Sequence, residues 1–190
     1  MKNILFTLAL LVCFNSFGQT EEKIAYYESG AIKAKLNYVD GKPHGEWIVY
    51  YESGKVKSKY NYVDDSAQGE MIDYYPNGAV KFKQNFVDDI RQGEVISYYP
   101  NGLVKRKSND LDGKTNGKVI VYYESGAVER KSNYAGGKRH GEWIGYYESG
   151  AVKYKYNYVD GDIQGESISY YENGEIKEIE NYKDGELIKD

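Results

Sequence analysis

Apolar and polar residues follow a pattern that repeats along this chain with a constant period. A pair of adjacent tyrosines begins at residues 26, 50, 74, 98, 122, 146 and 170, so the period is 24 residues without insertion or deletion. In one copy, residues 46–51 are rich in β-branched and aromatic types, and residues 55–63 alternate between polar and apolar types. Alternation with a period of two predicts strands. A fixed period of this length predicts a repeat architecture.

Turn residues separate the two predicted strands of each copy. Tyr75-Pro76-Asn77-Gly78 fits a three-residue hairpin loop made of a type I turn and a bulge at glycine, and Asp40-Gly41 fits a type I′ turn between copies. We therefore predict an all-β fold, an elongated, single-layer, twisted antiparallel β-meander. It would contain about 14 strands in seven 24-residue hairpin repeats.

The loop length also predicts a register and therefore two faces. Tyr50 is expected opposite Val56 and Ile48 opposite Ser58, with a bulge at Gly45 restoring the alternation before the next copy. The expected core face carries Ile48, Tyr50, Val56, Tyr60 and Tyr62. The expected wetter face carries Trp47, Val49, Tyr51, Lys57, Lys59 and Asn61. The column of Ile48 is isoleucine in all seven copies, whereas the column of Val49 includes Asp73 and Ser97, which supports this assignment.

Residues 1–18 stand outside the repeat and have the features of a secretory signal peptide. Lys2 precedes an apolar run at 4–14 that is too short to span a bilayer, and small residues follow, with cleavage expected near Gly18. Val12 precedes the single cysteine, Cys13, which disfavours a lipoprotein signal. We predict export to the periplasm or the medium, and a repeat domain over residues 19–190 without disulfides.

The charge balance and the scattered titratable residues limit the function classes. The net charge is −4, with both signs interspersed, so the basic excess typical of nucleic-acid binding is missing. His44 and His140 occupy equivalent turn positions four repeats apart, too far for a shared site. A uniform column of glutamates, including Glu46, gives no means of separating an acid from a base. No catalytic, cofactor or metal site is predicted.

Tyrosines and lysines on the expected wetter face form the candidate partner-binding surface, because tyrosine provides large contact area at low entropic cost. Lys59 beside Trp47, and Lys155 beside Trp143, are expected to form cation–π pairs there. The alternative interpretation is a charged face that only prevents aggregation. The candidate residues are Trp47, Tyr51, Lys57, Lys59, Tyr75, Lys81, Tyr99, Lys105, Trp143, Tyr147, Lys153 and Lys155.

The motif itself resembles a known family. Gly-Glu-Trp-x-x-Tyr-Tyr-x-x-Gly at 45–54, and Asn-Tyr-x-x-Gly-Lys-x-His-Gly-Glu-Trp at 37–47 and 133–143, resemble the MORN repeat. The resemblance is closest to the bacterial MORN variant, some of whose members carry an antitoxin-like label. It covers residues 24–190, and the fourth repeat departs from it at Asp110 and Lys118. It implies a single-layer antiparallel sheet used for protein or membrane-lipid contacts, and no enzyme.

These observations lead to three functional hypotheses. The first is an exported, non-enzymatic repeat protein that serves as a protein-binding or envelope scaffold module through an extended Tyr/Lys face. The second is an antitoxin-like or immunity protein that neutralises a toxin, and the third is a protein that binds membrane lipid or another anionic surface. A homo-oligomer is compatible with each, because a single-layer sheet has little means of covering its apolar face. No nucleic-acid partner is expected.

Overall fold

A computed structural model describes residues 11–13 and 19–188, and all regular secondary structure in that part is β-strand. The chain divides into two compact units, Met1–Ile90 and Arg91–Asp190, which are described separately. The predicted signal peptide, residues 1–18, lies outside the described residues except for strand β1 (Leu11–Cys13), which pairs antiparallel with β2 (Thr20–Tyr26). Within the described ranges, no helix is long and apolar enough to cross a membrane.

Each unit is built from antiparallel hairpins of one six- or seven-residue strand and one eight-residue strand. The first unit has the hairpins β2–β3 (Ile32–Val39), β5 (Gly45–Tyr50)–β6 (Val56–Val63) and β8 (Gly69–Tyr74)–β9 (Val80–Val87). The second has β11 (Gly93–Tyr98)–β12 (Val104–Leu111), β14 (Gly117–Tyr122)–β15 (Val128–Ala135), β17 (Gly141–Tyr146)–β18 (Val152–Val159) and β20 (Gly165–Tyr170)–β21 (Ile176–Lys183). The predicted all-β fold of hairpin repeats is confirmed.

Two-residue strands follow the longer strand of each hairpin and were not predicted. They are β4 (Lys42–Pro43), β7 (Ser66–Ala67), β10 (Ile90–Arg91), β13 (Lys114–Thr115), β16 (Lys138–Arg139), β19 (Asp162–Ile163) and β22 (Glu186–Leu187). They exist because the turn between copies is tight: Asp40 and Gly41 both have positive φ, 49° and 77°, as a type I′ turn requires. The chain therefore folds straight back onto the strand that it has just left.

The loop inside each hairpin has the predicted geometry. The backbone N–H of Tyr51 donates to the carbonyl of Lys55 at 2.8 Å, and the N–H of Gly54 donates to the carbonyl of Tyr51 at 2.9 Å. Gly54 has φ +83°, the left-handed conformation that glycine adopts without steric cost. This is a type I turn closed by a glycine bulge.

One further bulge makes the predicted register wrong beyond the first residue pair. Tyr50 pairs with Val56 as expected, but Val49 then pairs with Ser58, so Lys57 is an extra residue in β6. Ile48 consequently lies opposite Lys59 rather than Ser58. Because side chains alternate with a period of two, one extra residue moves all later positions of the strand to the opposite face.

The two faces are therefore composed differently from the prediction. What we call the Trp face carries the residues equivalent to Trp47, Val49, Ser58, Tyr60 and Tyr62, and the Ile face carries those equivalent to Glu46, Ile48, Tyr50, Val56, Lys59 and Asn61. All buried non-glycine residues in the described part lie on the Trp face: Ala34, Ser58, Gln84, Val95, Ser108, Asp110, Val119, Ser132, Trp143, Tyr158 and Ser167. The isoleucine column is only half-buried. The Trp face, not the Ile face, is thus the core side of the sheet.

The predicted irregularity at Gly45 is present but is larger than one residue. Tyr38 pairs with Pro43, and Lys35 pairs with Ile48. The chain advances three residues between these pairs in β3 but five residues on the other side, so two extra residues lie there. Gly45 has φ +79°. Asn37 organises this segment, because its carbonyl accepts the N–H of His44 at 3.0 Å and its side-chain amide donates to the carbonyl of Glu46 at 2.6 Å.

Candidate functional site

The structure brings the predicted tyrosines and lysines together in pairs at the hairpin ends. In each pair a bulge lysine, equivalent to Lys57, lies beside the second tyrosine of the same repeat. The distances from the lysine Nζ to the ring centroid are 5.9 Å for Lys33–Tyr27, 6.0 Å for Lys57–Tyr51, 5.9 Å for Lys81–Tyr75, 5.4 Å for Lys105–Tyr99 and 5.5 Å for Lys153–Tyr147. We call these the Tyr–Lys pairs. The lysines are exposed and the tyrosines half-buried, so each pair presents a cation on an aromatic base.

In five repeats the second tyrosine also ties its repeat to the next one, a role that sequence reasoning missed. Each hydroxyl donates to the carbonyl of the first tyrosine in the next repeat: Tyr27 to Tyr50 and Tyr51 to Tyr74 at 2.6 Å, Tyr99 to Tyr122 and Tyr123 to Tyr146 at 2.7 Å, and Tyr147 to Tyr170 at 2.8 Å. Burial raises the pKa of Tyr99 and Tyr123 above the ordinary value of 10.0. The recurrence of tyrosine at this position in all seven copies is the sequence signal for this tie.

Replacing Tyr123 by Phe removes one inter-repeat hydrogen bond without removing the ring. We expect Tyr123→Phe to lower the free energy of unfolding by about 0.5–1.5 kcal/mol, the net worth of a typical hydrogen bond. Urea denaturation measures the change. Tyr171→Phe is the matched control, because Tyr171 occupies the same position in its repeat and is 51% exposed. An equal loss in the control would contradict a specific tie at Tyr123.

Lys59 and Lys155, in contrast, lie on the Ile face. Each stands opposite an isoleucine, Ile48 and Ile144 respectively. The Nζ of Lys59 contacts the Glu46 carboxylate at 3.0 Å, and this hydrogen bond raises the pKa of Lys59 above its ordinary value of 10.5. The predicted contacts of Lys59 with Trp47 and of Lys155 with Trp143 are therefore wrong, because the bulge separates lysine and tryptophan onto opposite faces.

Both tryptophans belong to the Trp face. Trp47 packs between the rings of Tyr38 and Tyr62, with centroid distances of 5.4 and 4.8 Å, and its Nε1 donates to the carbonyl of Asn37 at 2.8 Å. Trp143 is only 5% exposed. Arginines, not lysines, contact its ring: the Cζ atoms of Arg130 and Arg139 lie 4.9 Å from the centroid. The tryptophans therefore pack among tyrosines and arginines, not against the lysines predicted for them.

The two histidines make local contacts in turns, and two hollows on the surface are small. His44 lies 3.6 Å from Asp64 and His140 lies 3.9 Å from Asp160, which are local turn contacts. No cluster of metal-ligating side chains occurs among residues 19–188. A hollow of about 200 Å³ is lined by residues including Tyr60, Met71 and Phe86, and another of about 220 Å³ by residues including Lys107 and Ile120. Both are smaller than the roughly 300–1,000 Å³ typical of ligand pockets.

Antiparallel hairpins in tandem, tied at a fixed period, define a β-repeat protein, an architecture that suits a binding or scaffold role. The family model for the MORN repeat variant matches the chain seven times, at residues 22–40, 43–64, 67–88, 91–109, 115–135, 139–160 and 163–184. The chain belongs to this family, as its motifs suggested. MORN-repeat proteins in general are not enzymes. Comparison with curated proteins finds no match.

Proposed function

We propose that this chain is an exported, non-enzymatic binding module that recognises a protein partner through its Tyr–Lys pairs. The observation that carries this proposal is the recurrence of one arrangement: in five repeats an exposed lysine stands within 5.4–6.0 Å of the ring of a half-buried tyrosine. A rigid aromatic base beside a cation suits acidic or polar partner surfaces, because little conformational entropy is lost on binding.

Export is the second part of the proposal and rests on the sequence of residues 1–18. A positive residue, a short apolar run and small residues at the expected cleavage point support a secretory signal. The mature chain would begin at Gln19. Its backbone N–H donates to the Asp40 side chain at 2.8 Å, so the repeat domain is anchored immediately after the expected cleavage point.

The test of binding is affinity capture from the envelope fraction and the culture fluid of the source cell. The test of export is the intact mass of the protein in those fractions, which should correspond to a chain beginning at Gln19. The test variant carries Lys57→Glu, Lys81→Glu, Lys105→Glu and Lys153→Glu, which reverse charge but keep the tyrosine ties. The matched control carries Lys42→Glu, Lys55→Glu, Lys114→Glu and Lys183→Glu, exposed lysines outside the pairs. Both variants change the net charge equally, so general electrostatics is controlled.

We expect a captured partner to bind the wild type and the control similarly and the test variant at least about tenfold more weakly, a difference near 1.4 kcal/mol. If the test variant still bound the partner as tightly as the wild type, the Tyr–Lys pairs would not be the binding surface. A captured toxin whose activity is blocked would make the protein antitoxin-like. Capture of anionic lipid without a protein would replace the proposal by surface binding.

A further inference from the structure

All four arginines of the chain lie in the second unit and on its Trp face. They are Arg91, Arg106, Arg130 and Arg139. Arg106 and Arg130 occupy the position of Ser58, opposite Ser97 and Val121. Arg139 pairs with Tyr134, and Arg91 reaches the buried Asp110. In the described part of the second unit, lysine occupies the Ile face, the turns and the bulges instead, so there the two cations are segregated by face.

Aromatic rings hold two of these guanidinium groups in place. Arg130 and Arg139 both have Cζ 4.9 Å from the Trp143 centroid. Arg139 also lies 5.3 Å from the Tyr158 centroid and donates to its hydroxyl at 3.3 Å. A planar guanidinium packed on an aromatic face keeps its N–H edge available for a bidentate anion. The guanidinium groups of Arg130 and Arg139 are therefore oriented before any ligand binds.

Among the described residues, Arg91 is the one arginine that forms an ion pair with a carboxylate. The Nε of Arg91 lies 3.4 Å from the carboxylate of Asp110, which is 3% exposed. In the described part of the chain, Arg106 and Arg130 take part in no ion pair. The Nε of Arg130 is buried and has no hydrogen-bond partner. An unmet buried donor is costly, so the protein itself does not fully satisfy the guanidinium group of Arg130.

The register sets the spacing that a ligand must match. Arg106 pairs with Val121 across β12–β14, and Val121 pairs with Arg130 across β14–β15. Arg106 and Arg130 are thus two strands apart, about 10 Å. One carboxylate or one phosphate is too small to reach both guanidinium groups. A peptide in the polyproline II conformation has about three residues per turn and a rise of roughly 3.1 Å per residue, so the side chains of residues i and i+3 lie on the same side about 9 Å apart.

The surroundings distinguish an acidic peptide from other polyanions. Single-stranded nucleic acid needs free aromatic faces for stacking, but Trp143 is 5% exposed and Tyr154 and Tyr156 stack on each other at 4.6 Å. An anionic bilayer would extend over the whole face, where Glu178 and Glu180 oppose it in the seventh repeat. A short acidic segment avoids both obstacles.

We propose that Arg106, Arg130 and Arg139 form an anion-recognition site, the Arg patch, for an acidic segment of a protein partner. Carboxylates three residues apart would accept bidentate hydrogen bonds from Arg106 and Arg130, with Arg139 reinforcing the positive potential. The Arg patch uses none of the Tyr–Lys pairs, so it stands or fails independently of the function proposed above.

The experiment measures fluorescence anisotropy with the mature protein at low salt. The probe is a labelled peptide of four Gly-Ser-Glu units, and its counterpart has Gln in place of Glu. Arg106→Gln with Arg130→Gln is the test variant. Lys107→Gln with Lys131→Gln is the matched control, because these lysines adjoin the arginines in sequence but lie on the Ile face opposite Ile96 and Ile120.

We expect the wild type and the lysine control to bind the Glu peptide with dissociation constants within about twofold, and the arginine variant at least about tenfold more weakly. Hydrogen exchange on the wild type should show peptide-dependent protection in β12 and β15, which keeps the test valid if the arginine variant unfolds. No binding of the Glu peptide, equal binding of the Gln peptide or equal loss in the lysine control would overturn the proposal. Tighter binding of an oligonucleotide or anionic vesicles, or dimerisation abolished by the arginine changes, would also overturn it.

Discussion

Trp143→Ala should be among the most destabilising single substitutions in the second unit. The side chain is 5% exposed, and its ring packs against Tyr134 and Tyr158 at centroid distances of 5.7 and 5.0 Å. Truncating a buried tryptophan leaves a cavity in addition to the lost transfer free energy, which costs about 3–5 kcal/mol. The loss also removes the aromatic base of Arg130 and Arg139. Chemical denaturation followed by circular dichroism measures the change in unfolding free energy.

Ile144→Ala is the adjacent control, because Ile144 lies on the other face and is half-buried. Half the transfer free energy of a fully buried isoleucine predicts a loss of about 1 kcal/mol. Trp47→Ala, in the same motif but at a half-buried position, should fall between the two. A larger loss for Ile144→Ala than for Trp143→Ala would restore the isoleucine column as the core and contradict the assignment of the faces.

The hairpins were predictable from the sequence because their determinants are local. The tyrosine period, the alternation in residues 55–63 and the glycines at the turns each constrain only a few neighbouring residues. Gly54 and Asp40-Gly41 fix their turns through positive φ angles, which the sequence reveals directly. The strands, both turn types and the opposition of Tyr50 and Val56 therefore followed from sequence alone.

The predicted assignment of residues to the two faces was wrong because no local sequence feature marks the bulge at Lys57. Lysine adopts the bulge conformation without a special φ, and nothing near it breaks the alternation. The signal lies in pairs across the hairpin: small Gly145 faces large Tyr154, and Ser97 faces Arg106. Comparing residue volumes across the hairpin, copy by copy, would have revealed the register that type I loop geometry alone does not fix.

The same error explains why only some of the predicted partner-binding residues lie together in the structure. The Tyr–Lys pairs involve residues next to the loop, where the predicted pairing holds, and the structure places Lys57 beside Tyr51. Trp47 and Lys59 lie beyond the bulge and end on opposite faces. The Arg patch was missed for a related reason: Arg106 and Arg130 look like further lysine-type positions until the register shows that they lie on the Trp face.

Gly145→Val tests the corrected register most directly. Gly145 pairs with Tyr154, and a β-carbon added at Gly145 would lie 2.3 Å from the Tyr154 Cε1 and Cζ atoms. The ring has little freedom to move away, because it is stacked on Tyr156 at an interplanar angle of 6°. We expect the overpacking to cost about 1–3 kcal/mol of unfolding free energy, measured by chemical denaturation.

The second repeat supplies the compensating change, because there Val49 pairs with Ser58. Gly145→Val combined with Tyr154→Ser recreates that pair in the sixth repeat. The double variant should lose less stability than the sum of the two single variants, with a coupling energy of about 0.5–3 kcal/mol. Tyr154→Ser alone should be destabilising, since it leaves the space over Gly145 unfilled. Additive losses would mean that residues 145 and 154 do not touch, and the register across β17 and β18 would then be wrong.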